Sequence, residues 1–280
     1  MFGDVVTGVV LLTGATGFVG RQVLRALVGR DFKVRTVVRE GKQDLLAAYP
    51  AVEAIFTTAD LFAEDANWWK NVCDGIDTII HVAWYADPEQ YLQSSKNFDC
   101  LLGTLQMAKG AAQAGVRRFI GVGTCIEYDL TGGILSVDTA LRPLTPYGEA
   151  KAATFITLSQ WLPRQGVEFA WCRLFYLYGE GEDARRLVPY LRARLNAGKP
   201  AELTSGEQIR DFLDVAEAGR LIAEVALGST QGPINICSGI PIKVRQLAEQ
   251  IAAEYGRTDL LQFGARPDNL AESPRVVGVR

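Results

Sequence analysis

Apolar and polar positions follow two rhythms along the first two-thirds of this chain. Short runs rich in β-branched and aliphatic residues, at 9–13, 33–38, 54–58, 77–82, 118–123 and 168–173, read as buried strands. Between them apolar residues recur at helical spacing. Val19, Val23, Leu24, Leu27 and Val28 mark one helix, 91–114 forms a second, and a third carries Tyr147 to about residue 165. Strands separated by helices predict parallel βαβ units with right-handed crossovers, an α/β fold with a doubly wound parallel sheet. After residue 173 the rhythm loosens. Helices are expected at 185–196, 214–227 and 244–255, and short strands at 201–203, 234–236 and 260–263. This part reads as a smaller C-terminal lobe over the strand ends, with some segments returning to the larger body. The longest loop is expected at 128–146, and no internal repeat is visible.

Composition narrows the class. Hydrophobic residues make up 48% of the chain and charged residues 22%, enough for a core and an ordinary surface. A net charge of −3 gives no general attraction to nucleic acid or anionic membrane, so neither is expected as a partner. The five cysteines (Cys73, Cys100, Cys125, Cys172, Cys237) are scattered and form no CxxC or Cys/His cluster. That argues against a disulfide framework or a metal site, and reduced thiols suit the cytoplasm. No secretory leader pattern opens the chain, and no run of about 18 apolar residues is long enough to span a bilayer.

The first strand runs into Thr13-Gly14-Ala15-Thr16-Gly17-Phe18-Val19-Gly20, and a helix follows. Glycines at such a junction allow a tight turn and close backbone approach, and the helix N-terminus offers unpaired N–H groups to a pyrophosphate. Gly14, Thr16, Gly17, Phe18, Val19 and Gly20 are thus cofactor-binding candidates in a Rossmann dinucleotide fold. Residues 1–173 are expected to form the dinucleotide-binding domain and 174–280 mostly the substrate-binding lobe. The second strand ends in Arg39-Glu40, where an acid for the NAD ribose is usual. Arg39 suits the 2′-phosphate of NADP, the preferred cofactor, while Glu40 keeps NAD as the alternative. Asp60 is placed to accept from an adenine amino group, with Leu61 beside it. Val82 and Ala83 are placed to line the ribose.

Tyr147 and Lys151 stand four apart on one helix face, downstream of Thr124 at the end of the fifth strand. A lone Tyr-x-x-x-Lys is more often a surface pair; the glycine turn and Thr124 change its meaning. Lys151 and an oxidised nicotinamide are expected to favour the Tyr147 phenolate. Bringing a phenol from about 10 to about 7 takes roughly 4 kcal/mol. Tyr147 then serves as acid for a carbonyl or base for an alcohol, with Thr124 bonding the same oxygen. His81, on an apolar strand, reads as structural.

The chain here resembles the extended short-chain dehydrogenase/reductases, also called NAD-dependent epimerase/dehydratases. The resemblance covers nearly the whole sequence. It rests on residues 13–20, Asn97 with Gly103-Thr104, Gly115-Val116-Arg117-Arg118-Phe119, Gly123-Thr124 with Tyr128, Tyr147/Lys151, Arg173 with Tyr178-Gly179, Arg210-Asp211-Phe212 and 235–239. The resemblance implies a catalytic triad of Thr124, Tyr147 and Lys151, with Asn97 as a fourth, supporting member. It also implies a nucleotide-sugar substrate gripped by the variable lobe, and a homodimer formed through the 91–114 and Tyr147 helices. Relatives usually continue with a further helical segment, so the natural chain is expected to extend past Arg280.

Departures from the family pattern narrow the chemistry. Sugar 4,6-dehydratases carry Asp-Glu after the threonine, where Cys125-Ile126 stand here. Cys125 reads as buried filler, since neighbours on an extended segment face opposite ways. Glu127 is a candidate for sugar hydroxyls, Trp84 for the wall of the sugar pocket along with Tyr85, and Arg210 for the pyrophosphate, followed by Arg186 and Arg266. Tyr176 replaces a usual Asn, which weakens transfer of the nucleotide contacts. The function expected is NADPH-dependent reduction of a nucleotide-linked 4-keto-deoxysugar. A 4-epimerase that retains NAD and a reductase of non-nucleotide ketones or aldehydes are the alternatives. A non-enzymatic cofactor sensor is disfavoured by the intact triad.

Overall fold

The computed structural model describes residues 8–280 except 29, 31, 48, 270 and 271. Seven strands form one parallel sheet: β1 (Val9–Thr13), β2 (Lys33–Arg39), β3 (Val52–Thr58), β4 (Thr78–His81), β5 (Arg118–Thr124), β7 (Glu168–Leu174) and β11 (Gly232–Ile236). A two-residue strand, β6 (Ile134–Leu135), lies apart from this sheet in the 128–146 loop. The sheet order is β3-β2-β1-β4-β5-β7-β11, the Rossmann arrangement.

Strand alternation splits the core into two layers. Val10, Leu12, Ile80, Ile120 and Cys172 pack with α1 (Phe18–Val28) and α6 (Val215–Leu227). Leu11, Ile79, Phe119, Phe169 and Trp171 face the other way, onto α2 (Ala66–Val72), α3 (Lys96–Ala114) and α4 (Pro146–Trp161). Helices α1 and α6 approach closely at Gly219, where a Cβ would lie 2.6 Å from the Gln22 backbone. Two elements beyond residue 173, α6 and β11, are thus built into the large body.

The remainder forms the smaller lobe. Its sheet centres on β10 (Ile209–Asp214), flanked by β8 (Tyr176–Tyr178), β12 (Pro241–Lys243) and β14 (Arg275–Gly278), with β6 beyond β14. Its core comes from α5 (Leu187–Asn196), α7 (Val244–Glu254) and the pair β9 (Ala201–Leu203) and β13 (Leu261–Phe263). The buried carboxylate of Asp211 accepts from the backbone N–H groups of Ser238, Gly239 and Gly278 and so ties this sheet to the chain after β11.

Two boundaries differ from the sequence reading for identifiable reasons. Helix α3 starts at Lys96, not residue 91, because the Asn97 amide donates to the carbonyls of Tyr91 (2.6 Å) and Ser94 (2.9 Å) and folds 91–95 into turns. Helix α4 ends at Trp161, where Pro163 removes a donor and a short 3₁₀ turn follows. Among the described residues no helix is long and apolar enough to cross a membrane, and no group of three His, Cys, Asp or Glu could hold a metal.

Candidate active site

The strand order reverses between β1 and β4, the place where open α/β sheets bind ligands beyond their C-terminal ends. Both strands meet there in a glycine turn. Gly14 adopts φ 73°, and a Cβ on it would sit 2.8 Å from the Ala83 amide nitrogen. A Cβ on Gly20 would overlap the Gly14 carbonyl at 2.0 Å, which keeps α1 tight against the turn. Gly17 donates to Gly14 O at 2.9 Å, and α1 begins at Phe18 with Val19 behind it, leaving first-turn N–H groups without helical acceptors. The Thr16 carbonyl accepts from Arg21. This geometry fits a dinucleotide pyrophosphate.

His81 fixes the turn. The Ala83 N–H donates to Thr13 Oγ1, and Thr13 Oγ1 lies 2.8 Å from His81 Nδ1. On the other side His81 Nε2 lies 2.9 Å from Thr104 Oγ1, which donates to the Cys100 carbonyl. The donors balance only for a neutral imidazole protonated at Nε2. Burial, with Lys151 adding to it, pushes His81 down to about 3. The chain's one histidine is a strut between β1, β4 and α3.

Asp60 is exposed just beyond β3 and accepts from the Phe62 N–H, with Leu61 half-buried between them. Val82 and Ala83 are half-buried beyond β4. Arg39 is exposed at the end of β2, and its guanidinium has no hydrogen bond or ion pair among the described residues.

Thr124, Tyr147, Lys151, Asn97 and Trp84 converge beyond β5. Thr145 caps α4 by accepting from Gly148, and Pro146 occupies its first position, which sets Tyr147 in the first turn and Lys151 one turn on. Lys151 is buried; its Nζ donates to Val122 O at 2.5 Å and lies 3.7 Å from the centre of the Trp84 ring. The Trp84 Nε1–H donates to Asn97 Oδ1 at 2.9 Å. Tyr147 is edge-on to Trp84 (6.4 Å) and to Tyr91 (4.9 Å).

Burial holds the Tyr147 phenol above its ordinary range, and Tyr91, Glu127 and Cys125 push the same way against the Thr124 hydroxyl. Lys151 alone does not bring the phenol down; the expected lowering also counts on the charge of an oxidised nicotinamide. Lys151 spends its charge on Val122 O and the Trp84 face, and burial brings Lys151 down to about 7 although Glu127 favours its charge. Between pH 7 and about 10.5 the unfolded chain therefore binds more protons at this lysine than the folded one, so its contribution to stability rises with pH. Lys151→Met should match or exceed the wild type in Tm at pH 7, with a margin that shrinks toward pH 10 as measured by thermal melts. A margin that grows with pH contradicts the depressed lysine.

Other residues fall elsewhere. Glu127, expected at sugar hydroxyls, is fully buried behind Thr124: it accepts from Thr124 N (2.7 Å) and Trp171 Nε1 (3.0 Å) and pairs with Arg173 Nε (2.7 Å). It is unavailable to a substrate. Arg210, expected at the pyrophosphate, is buried and committed to Glu272 (2.9 Å) and to the Ile209 and Ser273 carbonyls. Arg186 lies over the Tyr91 ring at 5.4 Å, on the Tyr147 side of the smaller lobe. Arg266 stacks on Tyr190, and Tyr85 packs against Lys96. Cys125 is buried among Tyr128, Phe175 and Cys237, and burial pushes its thiol up to about 12. Sequence reasoning missed Tyr91, which packs on Tyr147; its position six residues before Asn97 was the available signal.

The family model of the NAD-dependent epimerase/dehydratases matches residues 10–237. The chain belongs to that family. It is accordingly an NAD(P)-dependent enzyme of the extended short-chain dehydrogenase type, the oxidoreductases and epimerases. A dTDP-6-deoxy-L-talose 4-dehydrogenase (NAD(+)) from Aggregatibacter actinomycetemcomitans is 24% identical over 97% of this chain and 99% of its own length. A dTDP-4-dehydro-6-deoxy-D-allose reductase from Streptomyces bikiniensis is also 24% identical, over 91% of this chain and 83% of its own. Among solved structures, the UDP-N-acetylglucosamine 4-epimerase of Methanobrevibacter ruminantium superposes with a TM-score of 0.85 at 18% identity, covering 97% of this chain and 89% of its own. The likeness to that epimerase extends the family's fold to the smaller lobe.

Proposed function

We propose that this family member reduces the keto group of a nucleotide-linked 4-keto-6-deoxysugar with NADPH. The observation that carries the reading is the half-buried Tyr147 phenol beside Thr124, one helical turn from buried Lys151; desolvation holds it above the ordinary range and so keeps it in the protonated form that serves as a proton donor. Water elimination needs a further acid and base. The positions after Thr124 hold buried Cys125 and then Ile126, and the Glu127 carboxylate is turned into the core. Chemistry therefore stays at one carbon–oxygen bond. NADPH, when bound, supplies the hydride; Tyr147 gives its proton to the carbonyl oxygen, Thr124 orients that oxygen, and Lys151 and Asn97 hold the surrounding elements. The names of the dehydrogenase and reductase relatives describe this same keto–alcohol relationship at C4 of dTDP-sugars. Arg186 and Trp84 are the chain's sugar-side candidates. Purified protein should bind NADPH exchangeably and oxidise it when a dTDP-4-keto-6-deoxysugar is added. Tightly retained NAD, with interconversion of nucleotide hexoses and no added reductant, supports the 4-epimerase instead.

Cofactor choice rests on Arg39, whose uncommitted guanidinium suits a 2′-phosphate. Arg39→Ala should weaken NADPH about tenfold or more while changing NADH little, measured by fluorescence titration. Equal weakening of both contradicts the assignment. The reading also includes a cytoplasmic homodimer. The five cysteines are free and buried, and Phe98 and Leu102 on α3 and Ile156 on α4 present exposed apolar side chains. Light scattering should give twice the chain mass for the wild type and a monomer for Phe98→Glu/Ile156→Glu; a monomeric wild type rejects the dimer.

A further inference from the structure

The single side chain of Trp84 reaches three members of the proposed catalytic group. The centre of its ring lies 3.7 Å from Lys151 Nζ, its Nε1–H donates to Asn97 Oδ1 at 2.9 Å, and its ring stands at 78° to that of Tyr147 with centroids 6.4 Å apart. Its backbone follows Ala83, whose amide abuts the Gly14 turn. The indole therefore spans from the cofactor turn to the lysine. Phe62 braces it from behind, edge-on at 6.2 Å.

The Lys151 ammonium has few other partners. It donates to Val122 O, and the Trp171 ring lies farther off at 5.8 Å. The ionisable groups around it are Glu127 after β5, Cys100 on α3, His81 on β4 and Tyr147 on α4. Of these, Glu127 is already paired with Arg173, and His81 and Tyr147 are neutral. In so dry a site an aromatic face is a substantial partner for a cation. We propose that Trp84 is a positioning residue: its indole face holds the charged form of Lys151 in place, and its N–H locks Asn97 and α3 to the same point. The role of Lys151 in turnover rests on the proposed function; the contact itself does not.

The test separates the two. The protonation midpoint of Lys151 is followed by nuclear magnetic resonance on carbon-labelled lysine side chains, with Lys151→Met assigning the signal. Trp84→Leu keeps an apolar cover and removes the π face. The midpoint should fall from about 7 to about 6 or lower. Trp84→Phe keeps a smaller aromatic face and loses the N–H, and its midpoint should fall less than that of Trp84→Leu. An unchanged midpoint in Trp84→Leu, or an equal fall in both variants, overturns the proposal. So does a rise toward an ordinary lysine in Trp84→Leu, which makes the indole a water shield alone. A shifted midpoint in a protein that reduces no keto sugar leaves this inference standing and rejects the proposed function.

Discussion

Tyr147→Phe should lower kcat for keto-sugar reduction by about 10³-fold while leaving the Kd for NADPH within about twofold. The substitution removes one hydroxyl and keeps the ring that packs on Tyr91 and Trp84. General acid catalysis of this kind is worth roughly 10²–10⁴ in rate, so the loss should fall in kcat and kcat/KM alike. The wild-type pH profile should follow the phenol. Burial raises the Tyr147 pKa above that of an ordinary phenol, so the proton needed for reduction is present across the neutral range. Reduction should show no loss attributable to Tyr147 between pH 6 and pH 9, about the range in which an ordinary phenol stays protonated. Residual activity within tenfold of the wild type removes Tyr147 from the chemistry. Stopped-flow reduction, with cofactor binding measured separately, distinguishes these results.

Arg173→Met should cost about 3–5 kcal/mol, the largest stability loss expected of any single substitution in the site region. Arg173 and Glu127 are both almost fully buried and 2.7 Å apart, and Arg173 also donates to the Tyr128 hydroxyl. Tyr128 in turn donates to Asn235, whose amide bonds the Leu135 and Val279 carbonyls. Removing the guanidinium leaves a carboxylate in the core with only Trp171 and the Thr124 N–H as donors. The Tm should fall by roughly 10 °C. Adding Glu127→Gln should recover much of that loss, because the cost comes from the unpaired charge and not from the missing pair. A double variant as unstable as the sum of the two singles contradicts this account.

That buried pair also shows where sequence reading stops. The parallel sheet and the glycine turn were legible because each rests on local periodicity and on backbone positions that admit no Cβ. Tyr147 and Lys151 share a face by helix geometry alone. Glu127 was placed in the pocket because it follows Thr124 by three residues. The tight turn at 125–127 swings its carboxylate back onto the Thr124 amide, and its charge partner lies 46 positions away on β7. No local pattern carries that pairing. Arg210 was misread for the same reason, since Glu272 reaches it from a distant loop. The expected lowering of the Tyr147 pKa counted on two cations, Lys151 facing the phenol and an oxidised nicotinamide. The lysine's real partners, Val122 O and Trp84, come from two other strands' ends. In the smaller lobe β8, β12 and β14 went unread because they are short and pair through long-range contacts, and β10 because Arg210, Asp211 and Asp214 break its apolar run.

The most direct test is a single reaction: the purified enzyme, NADPH and a dTDP-4-keto-6-deoxysugar, with nicotinamide absorbance and product mass followed together. The account predicts one NADPH consumed per sugar and a product two hydrogens heavier than the substrate. No consumption of NADPH, with the sugar recovered unchanged or inverted at one carbon by a protein that retains NAD, contradicts it.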